Sequence, residues 1–161
     1  MQRFLSSAVN RIDAKNRVSV PAHFRQIIQS RGYSDLYALR SLDTPALDVG
    51  GPDLLDQFEA RIAREDPLLQ TADDLSFFYH GDGAFLRFDS EGRISVTDFM
   101  RDHTGITTDV AFVGRGNWFQ IWEPSQLESH AAAVRARLLA RKRRADGDQA
   151  INQAINQDRS A

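Results

Sequence analysis

The sequence predicts an α+β fold: a sheet-rich body made from two copies of one small unit, with helices between and after them. Three observations carry this expectation. A fifteen-residue stretch recurs at a constant offset of 76 residues. Each copy centres on a turn flanked by short runs suited to strands. Amphipathic stripes with helical spacing fill the intervals.

The repeat is read by laying Arg11-Ile-Asp13-Ala-Lys15-Asn16-Arg17-Val-Ser19-Val20-Pro-Ala-His-Phe-Arg25 over Arg87-Phe-Asp89-Ser-Glu91-Gly92-Arg93-Ile-Ser95-Val96-Thr-Asp-Phe-Met-Arg101. Six of the fifteen positions are identical, where chance supplies about one, so the chain carries an internal duplication. In each copy Asp opens the turn and can accept backbone N–H groups. Asn16 and Gly92 fall where a left-handed residue is needed, as in a three-residue hairpin. Val18-Ser19-Val20 and Ile94-Ser95-Val96 alternate as half-buried return strands. A short helix follows Pro21, with Phe24, Ile27 and Ile28 on one face and Gly32 at its end. In the second copy Thr97 is the N-cap candidate and Gly105 arrives three residues sooner. A further strand pair then follows in each copy, joined by Ser41 to Ala46 in the first and by Gly114-Arg-Gly116-Asn117 in the second. A unit near 45 residues makes a poor core by itself, so the two copies are expected to interlock.

The helices are equally legible. Leu54, Leu55, Phe58 and Ile62 form a stripe between Pro52 and Pro67. Thr71 with Asp74 has the form of a capping box before Leu75, Phe78 and Tyr79, and Ser125 with Glu128 has that form before Leu127, Ala131, Val134 and Leu138. The domain expectation is one repeat at 7–54, a second at 83–126, a C-terminal helix at 127–144 and a disordered polar tail at 145–161, where Ala-Ile-Asn-Gln is written twice.

Composition excludes several classes. The 161 residues carry a net charge of −2, so the chain has no uniformly basic coat. With no cysteine there are no disulfides, thiolate metal sites or cysteine nucleophile. No apolar run has the ~18 residues a transmembrane helix needs, and the segment from Met1 to Leu5 lacks a signal-peptide core. A soluble, intracellular protein is expected. Charge is unevenly placed: residues 1–34 carry six Lys/Arg against one Asp, a net +5, whereas residues 35–82 carry three against eleven, a net −8. A local basic patch is compatible with an acidic whole, because potentials act over about 10 Å.

The doubled Asp-x-x-x-Arg turn, with Val-Ser-Val-Pro-Ala-x-Phe-Arg after the first copy and Phe-Val-Gly-Arg-Gly-Asn-Trp-Phe-Gln-Ile-Trp after the second, resembles the MraZ family of bacterial regulators, built from two SpoVT-AbrB-type repeats. The resemblance spans about Met1 to Leu139. It implies tandem swapped-hairpin β-barrels, a DNA-binding regulator of the division and cell-wall gene cluster, assembly into rings, and a nucleoid location. It ties the Arg of the first motif, Arg17, to DNA. The chain departs from the family pattern with Asn16 where Gly is usual and with Thr97-Asp98 where Pro is common.

The expected DNA contacts are Arg17, Lys15 and Asn16 at the turn, Arg11 on the outgoing strand, and Arg3 nearby. Cations suit phosphates, and a planar guanidinium reaches guanine O6 and N7 in the major groove. The plainer alternative is that Asp13 and Arg17 pair across the turn and only shape it. Glu91 stands where the first copy has Lys15, so Asp89, Gly92 and Arg93 read as a structural turn or subunit contact. Four histidines (His23, His80, His103, His130) show no metal-ligand spacing, and no cofactor motif or nucleophile set occurs. Trp118, Phe119, Ile121 and Trp122 read as core, or else as a subunit interface. Arg141 to Arg144 suit a helix C-terminus, or else a supplementary phosphate clamp. Two functional readings follow: a repressor binding repeated operator boxes on duplex DNA as a homo-oligomer, and an antitoxin-like interaction protein whose turns hold subunits and not DNA. An enzyme has no residues to build on.

Overall fold

The computed structural model describes residues 2–160; Met1 and Ala161, the outer limits of the family resemblance and of the polar tail, lie outside the described residues. The chain divides at Pro124 into a mixed body and a separate helical unit from Ser125 onward. In order the elements are β1 (Ser7–Arg11), β2 (Arg17–Ser19), α1 (Ala22–Ser30), β3 (Asp35–Arg40), β4 (Leu47–Gly50), α2 (Pro52–Ala63), α3 (Gln70–Gly81), β5 (Ala84–Arg87), β6 (Arg93–Ser95), α4 (Asp98–Thr104), β7 (Asp109–Gly114), β8 (Phe119–Trp122) and α5 (Pro124–Arg159). The fold is α+β with antiparallel pairing throughout the described strands.

The turns form where the sequence places them, but the strands on either side of each turn do not pair with one another. β1 pairs with β7, from Ser7 opposite Val113 to Arg11 opposite Asp109. β5 pairs with β3, from Asp35 opposite Arg87 to Ala38 opposite Ala84. The return strands β2 and β6 pair as a separate ribbon, Val18 facing Ile94. The expectation of a local hairpin in each copy is therefore corrected: each unit lends its first strand to the other unit. The six-stranded order β1-β7-β8-β4-β3-β5 reads the same when the two copies are exchanged. The physical reason is core size. A three-residue return strand offers little to pair with, whereas the exchange lets both copies close over one apolar interior.

That interior draws on both units. Val18, Val20, Phe24, Ile27, Ile28 and Leu36 of the first meet Leu86, Ile94, Met100, Val110, Phe112 and Phe119 of the second. Phe4 seals one end, its ring 5.3 Å from Phe24 and 5.2 Å from Phe119. Its backbone exchanges two hydrogen bonds with Gly116. A Cβ at Gly114 would collide with the backbone of Phe4 and Leu5, so this close approach requires glycine. A second cluster joins the helices to the sheet: Leu39, Leu54, Phe58 and Tyr79, with Phe58 stacked on Tyr79 at 4.3 Å. Phe119, Ile121 and Trp122 are buried, as the core reading expects, while Trp118 is half-buried with its indole N–H on Asp48.

Helix ends depart from expectation in three places. Thr97 occupies the N-cap position of α4 but makes no capping bond with its side chain. Helix α3 begins at Gln70, one residue before Thr71, so Thr71 does not cap it. Helix α5 starts at Pro124, which places Ser125 inside the first turn, and it runs through Gly147 to Arg159. The observed helix thus covers the 127–144 expected to be helical and most of the 145–161 expected to be a disordered tail. The residues past Gly147 include Ala, Gln and Ile and no proline, and one exposed glycine costs a helix only about 1 kcal/mol.

Candidate nucleic-acid interface

The first turn is organised by Asp13. Its Oδ1 accepts the backbone N–H groups of Lys15 and Arg17, each at 2.9 Å, and its Oδ2 accepts Arg17 Nε at 3.0 Å. The Asp13 N–H donates to Arg17 O, and the Asn16 N–H to Asp13 O. Asn16 is left-handed at φ 58°. The second turn repeats the pattern: Asp89 Oδ1 accepts from Glu91 and Arg93 N–H, and Oδ2 accepts Arg93 Nε at 2.7 Å. Gly92 takes the left-handed place at φ 77°. The Arg93 N–H above all, then its guanidinium and the Glu91 N–H, pull the Asp89 carboxyl down from 3.8 to about 2. Asp13 is lowered in the same way, first by the Arg17 N–H.

Alike in backbone, the two turns differ in charge. Arg93 Nη2 lies 3.2 Å from Glu91 and Arg93 Nη1 lies 3.8 Å from Asp13, in addition to its bond with Asp89. The second turn is therefore a closed ion cluster with an excess of carboxylate. In the first turn Arg17 pairs with Asp13 only, and Lys15, exposed at the tip, has no ion pair among the described residues. The nominal charge is +1 over Asp13, Lys15 and Arg17, and −1 over Asp89, Glu91 and Arg93.

The structure brings Lys15, Asn16 and Arg17 together, with Arg11 exposed at the adjoining end of β1 opposite Asp109. Arg3 is not with them. It precedes Phe4, which pairs with Gly116 at the other end of the strand. The fold adds one neighbour to the turn: Arg101 of α4 donates to Asn16 Oδ1 at 3.2 Å while holding the carbonyls of Ile106 and Thr107. Its counterpart Arg25 lies against Gly92. The coincidence of Arg25 and Arg101 in the repeat was the signal for both. These two arginines reach across from one copy to the turn of the other. They explain why an asparagine fits one turn, where its amide finds a donor, and glycine the other.

Other candidates resolve into structure. His80 Nε2 sits 3.1 Å from Glu59, and His103 Nε2 contacts the Thr44 carbonyl. Among the described residues no group of His, Asp or Glu could hold a metal ion, and no helix is long and apolar enough to cross a membrane.

No family model matches the chain. Whole-protein relatives do. A protein of Rhizobium rhizogenes named transcriptional regulator MraZ is 52% identical over 135 residues, 84% of this chain and 92% of that one. Its namesake in Rhizobium leguminosarum bv. trifolii is 50% identical over 144 residues, 89% of this chain and 99% of its own. A more distant namesake, in Xanthobacter autotrophicus, is 41% identical over 152 residues, 94% of this chain and 96% of that protein. Identity at this level over nearly the full length of each relative, on a chain whose two copies exchange their first strands and carry matching Asp-x-x-x-Arg turns, places the chain in the MraZ family of transcriptional regulators.

Proposed function

We propose that this protein is a sequence-specific, DNA-binding regulator that grips duplex DNA through the Asp13–Arg17 turn and acts as a homo-oligomer. The observation that carries the reading is the charge difference between two turns of the same geometry: the first is cationic and open at Lys15, the second carries an excess of carboxylate through Glu91. Asp13 holds Arg17 by Nε, which leaves the two terminal nitrogens to meet a guanine edge as a pre-set fork. Pairing across the turn and contact with DNA are then one device. Lys15 and Arg11 supply phosphate contacts that fix register without reading sequence. Arg3, at the far end of β1, belongs to this set only if the DNA path runs along the strand.

Oligomerisation supplies what one turn lacks. Strands β1 and β5 are the two edges of the sheet, and they expose Val9 and Phe85. Contact of one edge with the other edge of a second copy is heterologous, and such contacts close into rings when the rotation allows. Several turns on a ring gain about 10²–10⁴ in avidity where operator boxes match their spacing. In this reading residues 7–54 and 83–126 are the two swapped-hairpin repeats, and the reciprocal pairing of β1 with β7 and β5 with β3 supports it. The protein works in the cytoplasm on the nucleoid, repressing the division and cell-wall gene cluster together with its own promoter. A second reading, an antitoxin-like oligomer whose turns hold subunits, draws on the ion pairs that already occupy Arg17 and Arg93.

Fluorescence anisotropy against salt decides between them, using duplex from just upstream of the gene. Lys15→Gln is expected to flatten the slope of log affinity against log salt by about 0.9 per phosphate contact removed. An unchanged slope and affinity in both Lys15→Gln and Arg17→Ala overturns the DNA reading.

A further inference from the structure

We infer that residues 135–144 of helix α5 form a second, sequence-independent grip on the backbone of duplex DNA. This ten-residue segment holds Arg135, Arg137, Arg141, Lys142, Arg143 and Arg144 and no carboxylate, in a chain whose net charge is −2. All six cations are exposed, and none has an ion pair among the described residues. The nearest acids along the helix are Glu128 and Asp146.

Helix-dipole compensation does not account for the cluster. Cations complement a helix dipole within its last turn, but α5 continues fifteen residues beyond Arg144, to Arg159. The six charges therefore stand in mid-helix, where like charges spaced i, i+4, such as Arg137 and Arg141, repel one another. Helical spacing puts Arg137, Arg141 and Arg144 on one stripe about 10 Å long. Arg135 and Lys142 lie seven residues apart on another face. A stripe of guanidinium groups with no ion pair among the described residues suits a regular polyanion, and duplex phosphates are such a ligand. An anionic bilayer fits less well, because the helix past Asp146 is mostly Asn, Gln and Asp and lacks a broad apolar face.

The ligand is the one proposed above, but the site is different, so the two can fail separately. The test uses the full chain carrying Arg137→Gln, Arg141→Gln and Arg144→Gln together, with circular dichroism to confirm that the helix persists. Salt-titrated binding is measured on a random-sequence duplex and on the upstream duplex, with Lys15→Gln in parallel. The triple variant is expected to lose up to about 2.7 in salt slope on both duplexes, 0.9 for each phosphate contact. A wild-type slope and affinity in the triple variant overturns the grip, whatever Lys15→Gln does. A loss confined to vesicles of anionic lipid, or to an acidic protein, also overturns it. An effect of the triple variant with none from Lys15→Gln upholds the grip and refutes the turn.

Discussion

Replacing Gly92 with alanine tests whether the two turns are built as the structure describes. Gly92 sits at φ 77°, and a Cβ there would run into the guanidinium of Arg25, with Cζ only 2.9 Å away. Two costs follow. The left-handed conformation costs an alanine roughly 1–2 kcal/mol. The Arg25 side chain can swing away, but doing so stretches the bond from its Nε to the Val20 carbonyl, now 3.1 Å. A hydrogen bond from a charged donor contributes about 1.5–3 kcal/mol, and the lower end applies at this half-buried site. Gly92→Ala is thus expected to destabilise by about 2–4 kcal/mol. The reverse change at the matching position of the first turn, Asn16→Gly, removes strain and the exposed bond from Arg101, and should stay within about 1 kcal/mol of wild type. Urea denaturation at one fixed protein concentration measures both from the midpoint at constant slope. If Gly92→Ala lies within ~0.5 kcal/mol of wild type, or Asn16→Gly proves the more damaging of the two, the pairing of Arg25 and Arg101 with opposite turns is wrong.

Arg93→Ala dissolves the cluster that ties Asp89, Glu91 and Asp13; native mass measurements should show a changed oligomer distribution while the salt slope of DNA binding stays put, and a pure binding defect would contradict the role given to the second turn. Asp89 also predicts a pH dependence. Its folded pKa of about 2 lies below the ordinary 3.8, so the unfolded chain binds more protons between these values. Its contribution is complete above the ordinary carboxylate range and lost as pH falls through about 2. Carboxyl NMR should place the Asp89 midpoint near 2, and Asp89→Asn should make acid unfolding less steep below pH 4. A midpoint at the ordinary value would mean that the turn does not hold its carboxylate as drawn.

Much of the candidate site was readable because it is local chemistry. Asp13 and Asp89 cap turns whose bonds span only four residues, and Asn16, Gly92 and Gly105 are left-handed where turn geometry needs them. Arg101 was harder, because its contact with Asn16 spans 85 positions of chain. Ser6 has no sequence signal either: it is left-handed at φ 70°, and its carbonyl receives the Gly114 N–H. The expected tail shows the opposite failure. A polar repeat reads as disorder when judged by burial, yet a helix satisfies its own backbone and needs no core to continue.

From its order of residues alone this chain determines two like units, the chemistry of their turns, and the excess positive charge at one tip, because each depends on neighbours a few positions apart. Which strand pairs with which was decided only in the folded whole. A three-residue strand has too little surface to choose a partner locally, and β1 finds β7 about a hundred residues away because only the joint interior of both copies is large enough to exclude water.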